Sequence, residues 1–251
     1  MRIIISPAKK MNRDEDTLEY RDLPVFLDDA ERIMHWMQHL SYPEAKALWG
    51  CNDKIAEQNF ERFRHMDLRK NLTPAILSYE GIQYQYMAPA VFEDSMLQYV
   101  QEHLRILSGF YGVLKPMDGV VPYRLEMQAK ATVGGKANLY QYWGSRLYEE
   151  VLGPERLIIN LASQEYSKCI ESYLKPEDVC ITCIFGELSG KKVIQKGTLA
   201  KMARGEMVRF LAENRIKEPE EIKRFDRLGY CYQPNLSSEF CYVYIRKEAV
   251  V

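Results

Sequence analysis

Three short apolar runs limit what this chain can fold into more than any other feature. "RIIIS" (2–6), "LIINLA" (157–162) and "VCITCIF" (179–185) carry apolar, largely β-branched residues at consecutive positions. A strand with one wet face alternates apolar and polar residues; these do not, so both of their faces must be covered. They predict central, buried strands of one sheet with helices packed against it.

The segments between them supply the helices. Residues 28–40 repeat Ile33, Met37 and Leu40 at helical spacing. "SYPE" (41–44) reads as a capping box, Ser41 with Glu44, and opens a helix. A further helix starts at Asn52 and turns Ile55, Phe60, Phe63 and Met66 inward. "AILSY" (75–79) reads as a strand, 92–104 as a helix and "RILSG" as a short strand. One helix is expected over 137–151, and another follows "LIINLA" with Ser163 as its N-cap. Thr198 is placed as the cap of the helix that follows it, and "YCY" with "EFCYVYIRK" closes the chain as a hairpin. No repeat, low-complexity tract or linker divides the chain. The expected fold is therefore α/β (mixed α+β), a single domain over 1–251 with a central mixed sheet surrounded by helices.

Composition narrows the function. Hydrophobic residues make up 47% and charged residues 27%, which is a globular balance rather than a disordered one. Lys and Arg total 34 against 35 Asp and Glu, so any polyanion must be met by a local patch. No apolar run approaches the roughly 20 residues that span a bilayer, and "MRIIISPAKKM" is too short in apolar residues for an export signal; a cytoplasmic protein with no membrane contact is expected. The six cysteines lack a disulfide-framework spacing and read as reduced thiols. Cys180 and Cys183 form a CxxC, but on a strand residues three apart face opposite ways, so no shared metal is expected. His35 and His39 lie four apart on a helix without a third ligand. No metal site and no cofactor are expected, and no Walker loop, GxGxxG, HExxH or GxSxG occurs.

Four segments carry residues suited to chemistry. The densest is "SGFYGVLKPMDGVVPYRLEM" (108–127), where Gly109 and Gly112 permit tight turns or close approach and "KPMDG" is turn chemistry. If "PYRLEM" is extended, Arg124 and Glu126 share one face and Tyr123, Leu125 and Met127 the other. The polar pair then either lines a cleft or forms a surface ion pair. "NLASQEYSK" (160–168) leaves a strand for a helix and brings Ser163, Glu165 and Lys168 to the carboxyl end of the sheet, where α/β proteins bind ligands. "SPAKKM" (6–11) does the same for Ser6, Lys9 and Lys10. In 190–205, Lys201 and Arg204 share a helix face, either as a phosphate clamp or as a solvated charge run.

Together these segments resemble the YaaA family of bacterial peroxide-stress response proteins. The likeness is carried by "ISPAK" (5–9), the 108–127 segment, "NLASQEYSK", "KMARGEMVRFLAEN" (201–214) and "FDRLGYCY" (225–232), in matching order over nearly the whole chain. It implies a cytosolic protein that limits peroxide damage, is linked to low free iron, and binds DNA through a basic cleft and a helix–hairpin–helix-like element. Carried onto this chain, the hairpin falls at Gly109 and Gly112, spaced G-x-x-G. The phosphate-binding set is Ser6, Lys9, Gly109, Gly112, Lys115, Tyr123, Arg124, Ser163, Lys168, Lys201 and Arg204. The expected partner is duplex DNA, bent or bulged forms included. The alternative is an enzyme acting on a nucleotide-like or phosphorylated small molecule, for which Asp118, Glu126 and Glu165 are the candidate acid–base groups.

Overall fold

A computed structural model describes residues 1–14 and 18–247. Eight strands form its main sheet: β1 (Arg2–Ile5), β2 (Leu104–Ser108), β3 (Gly112–Leu114), β4 (Leu157–Asn160), β5 (Val179–Ser189), β6 (Lys192–Ile194), β7 (Tyr230–Tyr232) and β8 (Cys241–Arg246). Their order is β7-β8-β5-β4-β1-β2-β3, with β6 paired to the outer part of β5. The five inner strands β8, β5, β4, β1 and β2 run parallel, and β3, β6 and β7 add antiparallel edges. The three apolar runs are therefore neighbours at the centre, as their two-sided apolarity requires. Ile3, Ile4 and Ile5 are fully buried. The closing hairpin is β7 with β8.

Local chemistry sets most helix ends. Ser41 N–H donates to Glu44 Oε2 at 2.8 Å, so the capping box forms and starts the helix Tyr42–Trp49. Gly50 ends it in the left-handed region at φ 54°, and Asn52 caps the next helix, Asp53–Arg64, by accepting from Ile55 N–H at 3.0 Å. That helix buries Ala56, Asn59 and Phe63, while Ile55, Phe60 and Met66 are only partly covered.

Three expectations are corrected. "AILSY" is not a strand: Ala75–Ser78 is one helical turn, and only Tyr79–Glu80 is extended. The N–H groups of Ala75 and Ile76 are taken by the carbonyls of Asp118 and Pro116, a tertiary contact that overrides the local preference. The helix over 137–151 is two, Leu139–Trp143 and Arg146–Val151, broken at Gly144 with φ 56°. The helix expected behind Thr198 begins at Gly197 with Lys196 in the cap position, so Thr198 lies inside its first turn.

Cys180 and Cys183 lie three apart on β5 and meet different neighbours. Cys180 stands near Glu171 and Asp178, and Cys183 near Cys241, Arg204 and Cys180 itself. The helix Gly197–Glu213 crosses Ile82–Met87 at Gly205, where an added Cβ would stand 2.1 Å from the Gln83 carbonyl. This contact holds one wall of the site described next. No helix among the described residues is long and apolar enough to cross a membrane.

Candidate functional site

A cleft of about 410 Å³ opens beside the carboxyl ends of β1 and β4. It is built from five separate parts of the chain: the loop after β1, the start of Ile82–Met87, the segment 123–126, the start of Gln164–Glu171, and the face of Gly197–Glu213 that carries Lys201 and Arg204.

Ser6 and Ser163 leave adjacent parallel strands and meet. Ser163 N–H donates to Ser6 Oγ at 2.8 Å, and Ser6 Oγ donates to Ser163 Oγ at 3.1 Å. Ser163 occupies the N-cap position of Gln164–Glu171, yet its hydroxyl bonds Ser6 and caps no helical N–H. The Ser6 carbonyl accepts from Tyr84 O–H at 3.0 Å, tying the second wall to the first. Gly81 permits this packing, since a Cβ there would lie 3.1 Å from Ala8 Cβ.

Residues 123–126 belong to no helix or strand; Tyr123, Leu125 and Met127 are buried, and Arg124 and Glu126 line the cleft together with Tyr123 and Leu125. Glu126 Oε1 accepts from both Arg124 (3.1 Å) and Lys9 (3.0 Å). Between a cleft lining and a surface pair, the cleft holds, because the Arg124 side chain is only 12% exposed. Trp49 Nε1–H fixes the Arg124 carbonyl at 2.6 Å. Behind the wall, Tyr123 O–H joins Tyr79 O–H (2.8 Å) and Ser108 Oγ (2.6 Å) in a buried chain.

Glu165 accepts from Gln128 N–H at 3.2 Å, and burial, with a smaller push from Glu126, raises its carboxyl above the ordinary value. Arg204 is the odd cation. Among the described residues no hydrogen bond or ion pair engages its guanidinium, and burial lowers its affinity for the proton. The titratable group beside it is the Cys183 thiol, itself pushed far up by burial and so uncharged. Lys201 lies exposed at the cleft mouth, and Lys10 there pairs with Glu80 at 2.8 Å.

The structure thus brings together Ser6, Lys9, Tyr123, Arg124, Glu126, Ser163, Glu165, Lys201 and Arg204. It leaves five candidates out. Gly109 and Gly112 belong to the tight turn between β2 and β3; both are buried, with Phe110 and Tyr111 fully enclosed, and cannot meet a phosphate. Their freedom serves protein contacts: a Cβ on Gly109 would stand 2.7 Å from the Leu125 carbonyl, and Gly112 has φ +74°. Lys115 and Asp118 form a turn, Lys115 N–H donating to Asp118 Oδ2 at 2.8 Å, in a small depression away from the cleft. Lys168 lies over the Tyr140 ring at 5.0 Å, outside the cleft lining. Sequence reasoning missed Gln83, Tyr84 and Tyr166; for the first two, the available signal was a glycine followed by polar and aromatic residues in "EGIQY" (80–84).

Elsewhere, two consecutive helices, Tyr42–Trp49 and Asp53–Arg64, are joined through Gly50, Cys51 and Asn52. The position a Cβ would take on Gly50 has nothing within 4 Å. Beside the second helix lies a wider groove of about 770 Å³ lined by Arg13, Arg62, His65 and Lys70 among others. Arg62 is half-buried there, and burial together with nearby Arg13 weakens its hold on the proton.

A UPF0246 protein of Agathobacter rectalis is 61% identical over 249 residues, covering 99% of this chain and 100% of the relative. UPF0246 proteins of Lachnoclostridium phytofermentans and Pediococcus pentosaceus are 55% and 52% identical, over 100% and 99% of this chain and 98% and 99% of theirs. The family profile described as peroxide stress protein YaaA matches residues 1–236, and the chain belongs to that family.

Proposed function

We propose that this peroxide-stress protein acts by binding DNA, with the helical turn at 50–52 against the backbone and the two grooves that share segment 121–126 following the strand. The observation that carries the reading is a set of cations without a carboxylate partner among the described residues: Arg13 and Arg62 in one groove, Lys201 and Arg204 in the other. In a chain of net charge −1, attraction to a polyanion depends on such local sets. Phosphate contacts carry no base information, so affinity should vary little with sequence. Pre-bent or bulged DNA should bind better, because it avoids part of a bending cost on the order of several kcal/mol.

The test is a salt titration of binding to duplex and bulged DNA. Replacing Arg13, Arg62 and Lys201 together by Ala should flatten the slope of log K against log salt by about 0.9 for each phosphate that is no longer neutralised. Equal slopes for variant and wild type remove these residues from the reading, and no binding by wild type at low salt rejects it. Lower free iron belongs to the same proposal as a downstream effect. Cells carrying the triple variant should lose both peroxide protection and the fall in chelatable iron.

A second reading, chemistry on a phosphorylated or nucleotide-like molecule inside the cleft, is favoured by one arrangement. Glu165, whose carboxyl burial pushes above the ordinary value, stands beside Glu126, whose Oε1 pairs with Lys9 and Arg124. Carboxyl groups in such different surroundings suit an acid and a base. Turnover of phosphorylated small molecules by wild type, lost in Glu165→Gln, is the outcome this reading expects.

A further inference from the structure

We infer that the floor of the cleft is a built subsite for one terminal phosphate group, held by Arg204, Gln83 and Arg124. The inference deepens the second reading and rests on it only in placing a ligand in the cleft; it requires no turnover.

Three residues that line this one cleft carry a buried nitrogen with no hydrogen-bond partner among the described residues: Arg204 Nε, Gln83 Nε2 and Arg124 Nε. Buried polar groups are nearly always satisfied, so three orphans on one cavity call for a common acceptor. Gln83 is only 6% exposed, and its backbone carbonyl lies against Gly205, which fixes its backbone in the wall of the cleft. Arg204 has no anion of its own, whereas Arg124, in the same cleft, has Glu126. A guanidinium buried without a counter-ion is stabilised when a ligand brings one. The Ser163 hydroxyl accepts from Ser6 and keeps its own proton to donate.

These donors are all of one kind, N–H and O–H, and they come from four different elements around the cavity. A planar carboxylate offers two oxygens in one plane. A tetrahedral phosphate offers oxygens in several directions and matches donors converging from separate walls. Depth selects the kind of phosphate. A chain continuing both ways from an internal phosphodiester cannot follow its phosphate to the floor, where Gln83 is enclosed, but a terminal phosphate monoester can. The source is either a small molecule such as a nucleoside monophosphate or the 5′-phosphate end of a DNA strand.

Calorimetry and thermal melting on the full chain test this with five probes: inorganic phosphate, succinate, a nucleoside 5′-monophosphate, and a short oligonucleotide with or without a 5′-phosphate. Wild type should bind the phosphate-bearing probes at least tenfold more tightly than the 5′-hydroxyl oligonucleotide. Preference for the mononucleotide assigns a small-molecule source, and preference for the phosphorylated oligonucleotide a strand end. Arg204→Met should lose at least tenfold in affinity while melting, without ligand, at or above the wild-type temperature, because the uncompensated charge is gone. Gln83→Leu should weaken binding in the same direction and decides the matter if Arg204→Met does not fold. Arg204→Met or Gln83→Leu binding within twofold of wild type overturns the inference, as does equal binding of succinate and phosphate or no binding of any phosphate probe. DNA binding through the grooves is read separately from the salt slope, so either proposal can fail alone.

Discussion

Gly205→Ala sets two effects of opposite sign against each other at the wall of the cleft. The residue lies within the helix Gly197–Glu213, where alanine is favoured over glycine by about 1 kcal/mol from helix propensity alone. Packing opposes this. The new methyl would stand 2.1 Å from the Gln83 carbonyl and 2.9 Å from the Met87 N–H nitrogen, and both neighbours are backbone atoms of Ile82–Met87. No side-chain rotation relieves the overlap, so one helix must move away from the other by roughly an ångström. Overpacking of this kind costs about 1–3 kcal/mol, and the upper end or more applies when backbone is displaced along a helix crossing. The net expectation is a loss of about 2 kcal/mol after the propensity gain. For a chain of 251 residues that lowers Tm by roughly 4–8 °C. Because Gln83 and Arg204 flank the crossing, phosphate affinity should fall with it. A thermal melt of Gly205→Ala at or above the wild-type midpoint would refute the argument, since propensity would then have prevailed over the steric overlap.

Two further outcomes follow from buried groups. Asp118 is 2% exposed, and burial raises its carboxyl from 3.8 to about 7 against the smaller pull of the Lys115 N–H. An acid raised on folding costs nothing below its unfolded value and destabilises progressively as pH climbs toward the folded one. Asp118→Asn should therefore gain on wild type by roughly 2–3 kcal/mol more at pH 8 than at pH 5, and denaturant curves giving a pH-independent difference would sink this. Tyr123→Phe strands the buried Tyr79 hydroxyl and should cost about 1–3 kcal/mol, with a loss below 0.5 kcal/mol counting against the hydrogen-bonded chain.

The central strands were legible because their signal is local. Three consecutive isoleucines in β1 exclude a wet face wherever the strand lies. Where the deciding contact was distant, legibility ended. Ala75 and Ile76 adopt a helical turn because carbonyls of Pro116 and Asp118 take their N–H groups, some forty residues along the chain. The cleft was readable at strand ends, since Ser6 and Ser163 are delivered there by adjacent parallel strands. The glycines misled for a physical reason. Gly109 reports that something approaches the backbone closely, and the sequence does not say whether that is a phosphate or the Leu125 carbonyl. Gln83 gave no signal of its own, because an amide becomes informative only when its surroundings fail to satisfy it.

The same distinction separates two arginines that look alike in the sequence. Arg124 sits two residues from Glu126 and finds its counter-ion within its own segment, so that pairing can be read from spacing. Arg204 has Glu206 equally close in sequence, but Glu206 turns away to Arg227 at 3.2 Å, and the helix leaves Arg204 facing the cleft alone. The cleft gathers five cations against three carboxylates, one of which, Glu165, is held toward its neutral form, although the whole chain is net negative. At physiological salt such an excess is felt over about 8 Å, which is the scale of the cleft and not of the protein. An anion is therefore attracted only once it is at the mouth, and what it meets below is a guanidinium whose desolvation has already been borne by the fold. That order favours a ligand small enough to enter over one that lies across the surface. It also makes Arg204 the residue whose replacement best separates the two readings: its removal should abolish phosphate binding in the cleft while changing the salt slope for duplex DNA by no more than about 0.9, the share of a single phosphate.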